Sequence, residues 1–303
     1  MEPHFDCAGS TPSRRELVAL AASIAVTSCA GTRSPNRAPT APIIYDEHGG
    51  LMIEAHVAGG ELVRMILDTG ASRSALDGAF VRKLGLPLRN GGEVEGSAGI
   101  VNSQEADIEI APIDGLAPLD RTRLSCTVYD ISSYDARCVG ILGGDYLSRA
   151  PFQIFYRERR WSRGDAPRGA RIPMRLDNGI PRISASVNGM PIDLRIDTGA
   201  AFPSGADAYL SVTIAQAQAL RLTGPPQAVF TATGTGGETL KLNMHALDSF
   251  AIGEKRIERA FVIVPPRVGY FARDDAVGFL GNSVLDKLDP GFDYPGGVFT
   301  IGA

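Results

Sequence analysis

Met65-Ile66-Leu67-Asp68-Thr69-Gly70-Ala71-Ser72 decides the fold, because the chain says nearly the same thing again at Leu194-Arg195-Ile196-Asp197-Thr198-Gly199-Ala200-Ala201. Each copy follows a turn that carries glycine, Val57-Ala58-Gly59-Gly60 in the first and Val187-Asn188-Gly189-Met190 in the second. The two aspartates stand 129 residues apart. Downstream of each comes an apolar pair followed by glycine, Ile141-Leu142-Gly143 and Phe279-Leu280-Gly281, at distances of 75 and 84 residues. A repeated unit of roughly a hundred residues is too long for a solenoid and fits a duplicated half-domain. The chain therefore reads as two homologous lobes.

Paired carboxylates suggest a chemistry. Hydrolysing an amide with water needs a base to deprotonate the water and an acid to polarise the carbonyl. Two carboxylates a few ångströms apart cannot both ionise, so they share one proton and divide these roles. With both Asp-Thr-Gly-Ala loops and both apolar-glycine signals in place, the chain from about Leu51 to its C-terminus resembles the retropepsin-type aspartic proteases, with two lobes in one polypeptide as in pepsins. The resemblance implies an all-β, bilobal double β-barrel with an active-site cleft between the lobes. It makes Asp68 and Asp197 the catalytic pair and sends the Thr69 and Thr198 hydroxyls across the lobe interface. Gly70 and Gly199 would let amide N–H groups approach the carboxylates. Ala71 and Ala200 match the retroviral form of the motif and remove a hydroxyl, which favours a higher carboxyl pKa. After the alanine the first copy reads Ser72-Arg73-Ser74 and the second Ala201-Phe202-Pro203-Ser204, so one hydroxyl of the pattern is missing.

Glu95-Gly96-Ser97-Ala98-Gly99-Ile100-Val101 suits a β-hairpin able to close over a substrate, and by position Gly96, Ser97, Ala98 and Gly99 resemble the family's flap. An ordinary surface hairpin reads the same way. The second lobe offers Thr233, Gly234, Thr235 and Gly236 at the matching place. Asp145 and Asn282 follow the two apolar-glycine signals and precede short helical stretches at Tyr146–Arg149 and Ser283–Leu288. Helix N-capping accounts for them better than further catalytic chemistry.

At the N-terminus, Ser13-Arg14-Arg15-Glu16-Leu17 resembles a twin-arginine export start, and Leu17–Val26 is an apolar run too short to span a bilayer. Val26-Thr27-Ser28-Cys29 resembles a lipobox, which makes Cys29 a lipidation candidate; cleavage to a soluble periplasmic protein is the alternative. Residues 1–28 thus read as an export signal and 29–48 as a flexible tether rich in proline, threonine and alanine. The N-terminal lobe follows over 49–161, ending in a strand at Phe152–Trp161. A linker over 162–171 leads to the C-terminal lobe, 172–303. Arg157, Arg159, Arg160 and Arg163 read as a solvated strand end.

A chain of 303 residues, 44% hydrophobic with net charge −4, offers no basic patch for nucleic acid. Its four histidines show no metal-ligand spacing, and Gly-x-Ser-x-Gly, Walker and dinucleotide fingerprints are absent, so neither metal nor cofactor is expected. Cys126 and Cys138 are the cysteines of the mature domain. In an oxidising periplasm they are expected to pair, adding about 3 kcal/mol; two buried reduced thiols are the alternative. The expected protein is a monomeric, periplasmic aspartic endopeptidase acting on peptide or protein substrates, in contact with a membrane only through a lipid anchor. The competing reading is a peptide-binding module that keeps the cleft without the catalysis.

Overall fold

The computed structural model describes residues 39–46, 49–57, 60–97, 99–116, 121–131, 138–201, 205, 207–222, 224–233 and 239–302. The export segment, Cys29, Ala98, Phe202–Ser204 and Gly234, Thr235 and Gly236 lie outside these residues, as does the side chain of Thr233. Residues 38–303 form one unit.

Its first half runs β1 (Thr40–Pro42), β2 (Ile44–Tyr45), β3 (Leu51–Val57), β4 (Glu61–Leu67), β5 (Ala75–Asp77), α1 (Gly78–Lys83), β6 (Arg89–Glu95), β7 (Ile100–Ile110), β8 (Thr122–Tyr129), β9 (Cys138–Leu142), α2 (Gly144–Leu147), β10 (Phe152–Phe155) and β11 (Arg160–Arg163). The second half runs β12 (Ala170–Pro173), β13 (Arg175–Asp177), β14 (Ile180–Val187), β15 (Met190–Ile196), β16 (Ala208–Ser211), α3 (Ile214–Ala219), β17 (Ala228–Thr233), β18 (Thr239–Ala246), β19 (Phe250–Ile252), β20 (Lys255–Ile257) and β21 (Ala260–Val264). It ends with β22 (Gly278–Leu280), α4 (Asn282–Leu285), β23 (Gly291–Asp293) and β24 (Val298–Ile301). The described residues are all-β in class, with four short α-helices.

Strand pairing carries the duplication much further than the motifs do. In the first half the sheet order is β2-β3-β4-β9-β5-β8-β7-β6. In the second, β13 pairs with β14 and the order continues β14-β15-β22-β16-β21-β18-β17. Directions match too. The strand entering each Asp-Thr-Gly loop pairs parallel with the apolar-glycine strand, β4 with β9 and β15 with β22. The next strands also pair parallel, β5 with β8 and β16 with β21. Strand β4 alternates half-buried and buried positions into Leu67, and β15 does the same into Ile196. That period of two turns Met65 and Leu67, like Leu194 and Ile196, into the core and leaves the aspartates on the other face. Each fully buried aliphatic side chain of this kind contributes about 1.5–3 kcal/mol.

A third sheet, ordered β1-β11-β10-β23-β24-β12, joins the halves. Its centre is the antiparallel pair β10 and β23, where Gln153 faces Gly291 and Phe152 faces Phe292. The Phe152 and Phe292 rings stack at 4.6 Å, with Trp161, Tyr294 and Phe299 packed around them.

Several expectations are corrected here. Residues 39–46 of the expected tether include strands, since Ala41 and Ile43 are buried and β1 pairs with β11. Pro42 is tolerated because β1 is an edge strand. The single strand expected over Phe152–Trp161 is a hairpin, reversed at Arg159, whose φ is 51°. Ser162, Arg163 and Ala170–Pro173 lie in strands, which narrows the connection between the halves to 164–169. Arg163 is not solvated: it is 1% exposed, with its guanidinium 4.0 Å above the Tyr146 ring and bonded to the Tyr146 carbonyl.

The expected disulfide does not form; Cys126 and Cys138 are both buried thiols that are not joined to each other. Their strands, β8 and β9, are not neighbours, because β5 runs between them and pairs with both. Two strand spacings amount to roughly 9.5 Å, beyond the reach of about 7 Å between Cα atoms that a disulfide tolerates. Burial pushes the Cys126 thiol up to about 12, so it stays protonated and unreactive. Non-reducing digestion and mass mapping should therefore yield separate Cys126 and Cys138 peptides. A linked pair would contradict the strand order.

Candidate active site

Both Asp-Thr-Gly loops leave their strands at the same point and meet across the interface between the halves. Thr69 N–H donates to Thr198 Oγ1 at 2.9 Å, and Thr198 N–H donates to Thr69 Oγ1 at 3.1 Å. Each hydroxyl then donates to a carbonyl of the opposite half: Thr69 Oγ1 to Ile196 O at 2.7 Å, Thr198 Oγ1 to Leu67 O at 2.6 Å. Both threonines are fully buried, so these four bonds are shielded from competing water. The crossing of hydroxyls expected from the resemblance is present.

Within each loop the carboxylate accepts from its own backbone. Asp68 Oδ1 takes the N–H groups of Gly70 at 2.7 Å and Ala71 at 3.1 Å; Asp197 Oδ1 takes those of Gly199 at 2.9 Å and Ala200 at 3.0 Å. The two carboxyls lie close enough for each to bear on the protonation of the other. Glycine at the third motif position serves this approach. A Cβ on Gly70 would lie 2.4 Å from Asp197 Cγ, and one on Gly199 would lie 2.5 Å from Asp68 Cγ. Each glycine thus makes room for the carboxyl of the other half.

Burial raises the pKa of both aspartates, and for Asp197 the charge of Asp68 adds to it, holding Asp197 well above the usual carboxylate range. The backbone N–H groups pull in the opposite direction at each site. A pair that holds one proton in common is the outcome.

Asp145 and Asn282 do not cap helices. The N-cap positions of α2 and α4 are Gly143 and Gly281, and neither helix has a side-chain cap. Asp145 instead accepts from Ser74 N–H at 2.9 Å and Ser74 Oγ at 2.6 Å, while Ser74 Oγ accepts from Gly143 N–H at 3.1 Å. That bond set fastens the far end of the first loop to the apolar-glycine segment. Asn282, 4% exposed, does comparable work in the second half by donating to Thr198 O at 2.9 Å and Gly49 O at 3.2 Å. Its Oδ1 accepts from Tyr156 OH at 2.7 Å. The counterpart of Tyr156 in the repeat is Tyr294, and Gly144 stands where Asn282 does. With no side chain there, the buried Tyr294 hydroxyl has no partner among the described residues. Burial, and secondarily the Asp68 charge, pushes that hydroxyl up. The two loops therefore share a backbone plan but are braced differently.

The hairpin that carries Gly96, Ser97 and Gly99, formed by β6 and β7, reaches the second half. Tyr270 N–H donates to Gly96 O at 3.0 Å, and Arg273 pairs with Glu95 at 3.2 Å. Sequence reasoning missed Ser74, Tyr156, Asn282 as a brace, and Tyr270. Extending the repeat past Leu280 would have matched Tyr156 with Tyr294; Ser74 belongs to the Ser72-Arg73-Ser74 stretch whose hydroxyl the second copy lacks, and nothing in the sequence marks Tyr270.

Residues 53–146 match the family model described as aspartyl protease, a segment that includes the first loop and the Ile141-Leu142-Gly143 signal. The match spans about a third of the chain and lies in its first half. Among solved structures, it is similar to a retropepsin-like aspartic protease from Rickettsia conorii, at 24% identity and a TM-score of 0.31, over 43% of this chain and 86% of that one. It is also similar to conglutin gamma, a basic 7S globulin from lupine seeds, at 12% identity and a TM-score of 0.47, over 86% of this chain and 93% of that one. No sequence among the curated proteins matches it significantly.

Thr198→Val removes the hydroxyl that serves both Thr69 N–H and Leu67 O and leaves both buried without partners. A loss of about 2–4 kcal/mol in unfolding free energy is expected, while Thr198→Ser should retain most of the stability; equal melting of the Val variant and the parent would refute the role. The raised carboxyl pKa values give a second expectation. Below roughly pH 4 the unfolded chain holds these protons too, so the favourable contribution is complete there. As pH rises through the folded values the native state must ionise buried groups, and stability is lost. Asp197→Asn should therefore melt above wild type, by a margin that grows from acid to neutral pH; a flat or reversed margin would exclude this electrostatics.

Proposed function

We propose that the protein is an aspartic endopeptidase that hydrolyses peptide bonds with a water held between Asp68 and Asp197. The observation that carries this reading is the pair of half-buried carboxyls, each lying against the glycine of the other half's loop and each supplied with two backbone N–H groups. The ionised carboxylate takes a proton from the water as its oxygen attacks the carbonyl carbon. The protonated partner donates a hydrogen bond to the carbonyl oxygen as it gains charge. Collapse of the tetrahedral intermediate breaks the C–N bond, with the proton passing from carboxyl to departing nitrogen. Fixed N–H donors need no reorganisation as charge moves, which favours the transition state over the ground state.

The alternative of a binding module without catalysis was motivated by the altered residues after Ala200. The second loop nevertheless gives its carboxylate the same two donors as the first, and a pure binder has no use for a shared proton. This favours the enzyme. From the leader residues we further propose export to the periplasm, with Cys29 as the point of lipid attachment, and action as a monomer on periplasmic or membrane-exposed protein segments.

The decisive measurement is cleavage of an unfolded protein substrate by wild type, Asp68→Asn and Asp197→Asn, with circular dichroism confirming the fold. Each single variant should lose at least about a thousandfold in kcat/KM. Full activity in Asp68→Asn would end the proposal.

A further inference from the structure

The duplication allows a position-by-position comparison of the two surfaces beside the carboxyls, and one row differs in character at all but its last position. Since Met65 and Leu67 are buried, Ile66 shares a face with Asp68; since Leu194 and Ile196 are buried, Arg195 shares a face with Asp197. Across the first sheet, Ile66 lies in the cross-strand row Ile44–Met52–Ile66–Ile141. The equivalent row in the second sheet is Arg175–Arg182–Arg195–Phe279. Three aliphatic positions have become three arginines.

The apolar row packs with Ile131 and the loop residue Ala71 into a small cluster of its own. The arginine row is arranged quite differently. Arg195 forks onto Asp177, with Nη2 at 2.7 Å and Nε at 3.2 Å, and its guanidinium lies 4.1 Å over the Tyr270 ring. Arg175 and Arg182 both reach Asp193, at 2.8 and 3.1 Å, and Arg182 stands 3.9 Å from Asp177. Three guanidiniums thus share two carboxylates, which leaves one positive charge over, and Arg182 Nε is buried with no partner among the described residues. Like charges directly opposite one another weaken a sheet, so stability alone gives no reason for the row. Arg273 lies 5.9 Å over the same Tyr270 ring and is held between Glu95 and Asp275 at the exposed rim, where solvent and salt screen these charges. Tyr270, which roofs Arg195, also donates its N–H to Gly96 of the hairpin from the first half. Arg195 is thereby covered by the residue that holds the hairpin, while Arg175 at the end of the row stays exposed.

We propose that the Arg175–Arg182–Arg195 row, with Arg195 seated on Tyr270 beside Asp197, selects an acidic substrate side chain on that side of the scissile bond. Ile66 and its apolar neighbours beside Asp68 take an apolar side chain on the other. This rests on the peptidase reading and adds a substrate class to it: bonds between one large apolar and one acidic residue. A planar guanidinium already oriented by stacking and by one carboxylate loses little freedom on accepting a second.

The test uses the full chain and short peptides containing Leu–Leu, Leu–Glu, Glu–Leu, Leu–Lys or Lys–Leu at one central bond. Both orders are included, so the direction in which a peptide lies is read from the result. In one order wild type should prefer Glu to Lys by about tenfold in kcat/KM, and raising the salt concentration should shrink that ratio. Arg195→Met should lose the preference while still cleaving Leu–Leu, and Arg195→Lys should keep part of it. Equal use of Glu and Lys in both orders, a ratio insensitive to salt, or a preference that survives in Arg195→Met would each overturn the inference and leave the peptidase reading standing. Should Arg195→Met fail to fold, the salt dependence in wild type decides alone. Failure of wild type to cut any of these peptides or an unfolded protein would remove the peptidase reading and this inference together.

Discussion

Four buried hydrogen bonds between Thr69 and Thr198 and the strands of the opposite half are the constraint on which the site depends. They fix two loops that come from different sheets, and with the loops they fix the carboxyls. Each bond crosses the interface, so neither half can build its own loop completely. In a dry environment the loss of any one would strand a donor or acceptor, which makes the arrangement close to all-or-none. The glycines act in the same sense: with a Cβ at Gly70 or Gly199, the carboxyl of the other half could not occupy its place.

Electrostatics follows from that geometry. Holding two acids in contact and out of bulk water is unfavourable once both are ionised, and the backbone N–H donors offset only part of this. What remains appears as raised pKa values, the condition under which one acid keeps a proton while its neighbour is ionised.

Much of this was legible in the sequence because duplication writes the same instruction twice. Asp68, Asp197, their threonines and glycines, and the two apolar-glycine strands could all be placed by comparing the chain with itself. Where the halves differ, that method failed. Asp145 and Asn282 read as helix caps, since a polar residue before a short helix usually is one; glycines hold those positions, and the polar side chains turn back to fasten the loops. The Cys126–Cys138 pairing looked reasonable along the chain and is excluded by β5, a strand of three residues whose position between its neighbours leaves no mark in local sequence. The tether likewise ended too late, because Thr40–Pro42 owes its strand to pairing with residues about 120 positions away.

A joined chain also has a freedom that two identical subunits lack. In a symmetric dimer every change is made twice, and an arginine placed beside one aspartate would appear beside the other as well. Here the sheet built from β10 and β23 binds the halves edge to edge within one polypeptide, so Ile66 and Arg195 have been able to drift apart while the loops next to them stayed alike. An inherited twofold axis survives in the backbone around the acids and has been abandoned one residue pair away, giving the groove a head and a tail.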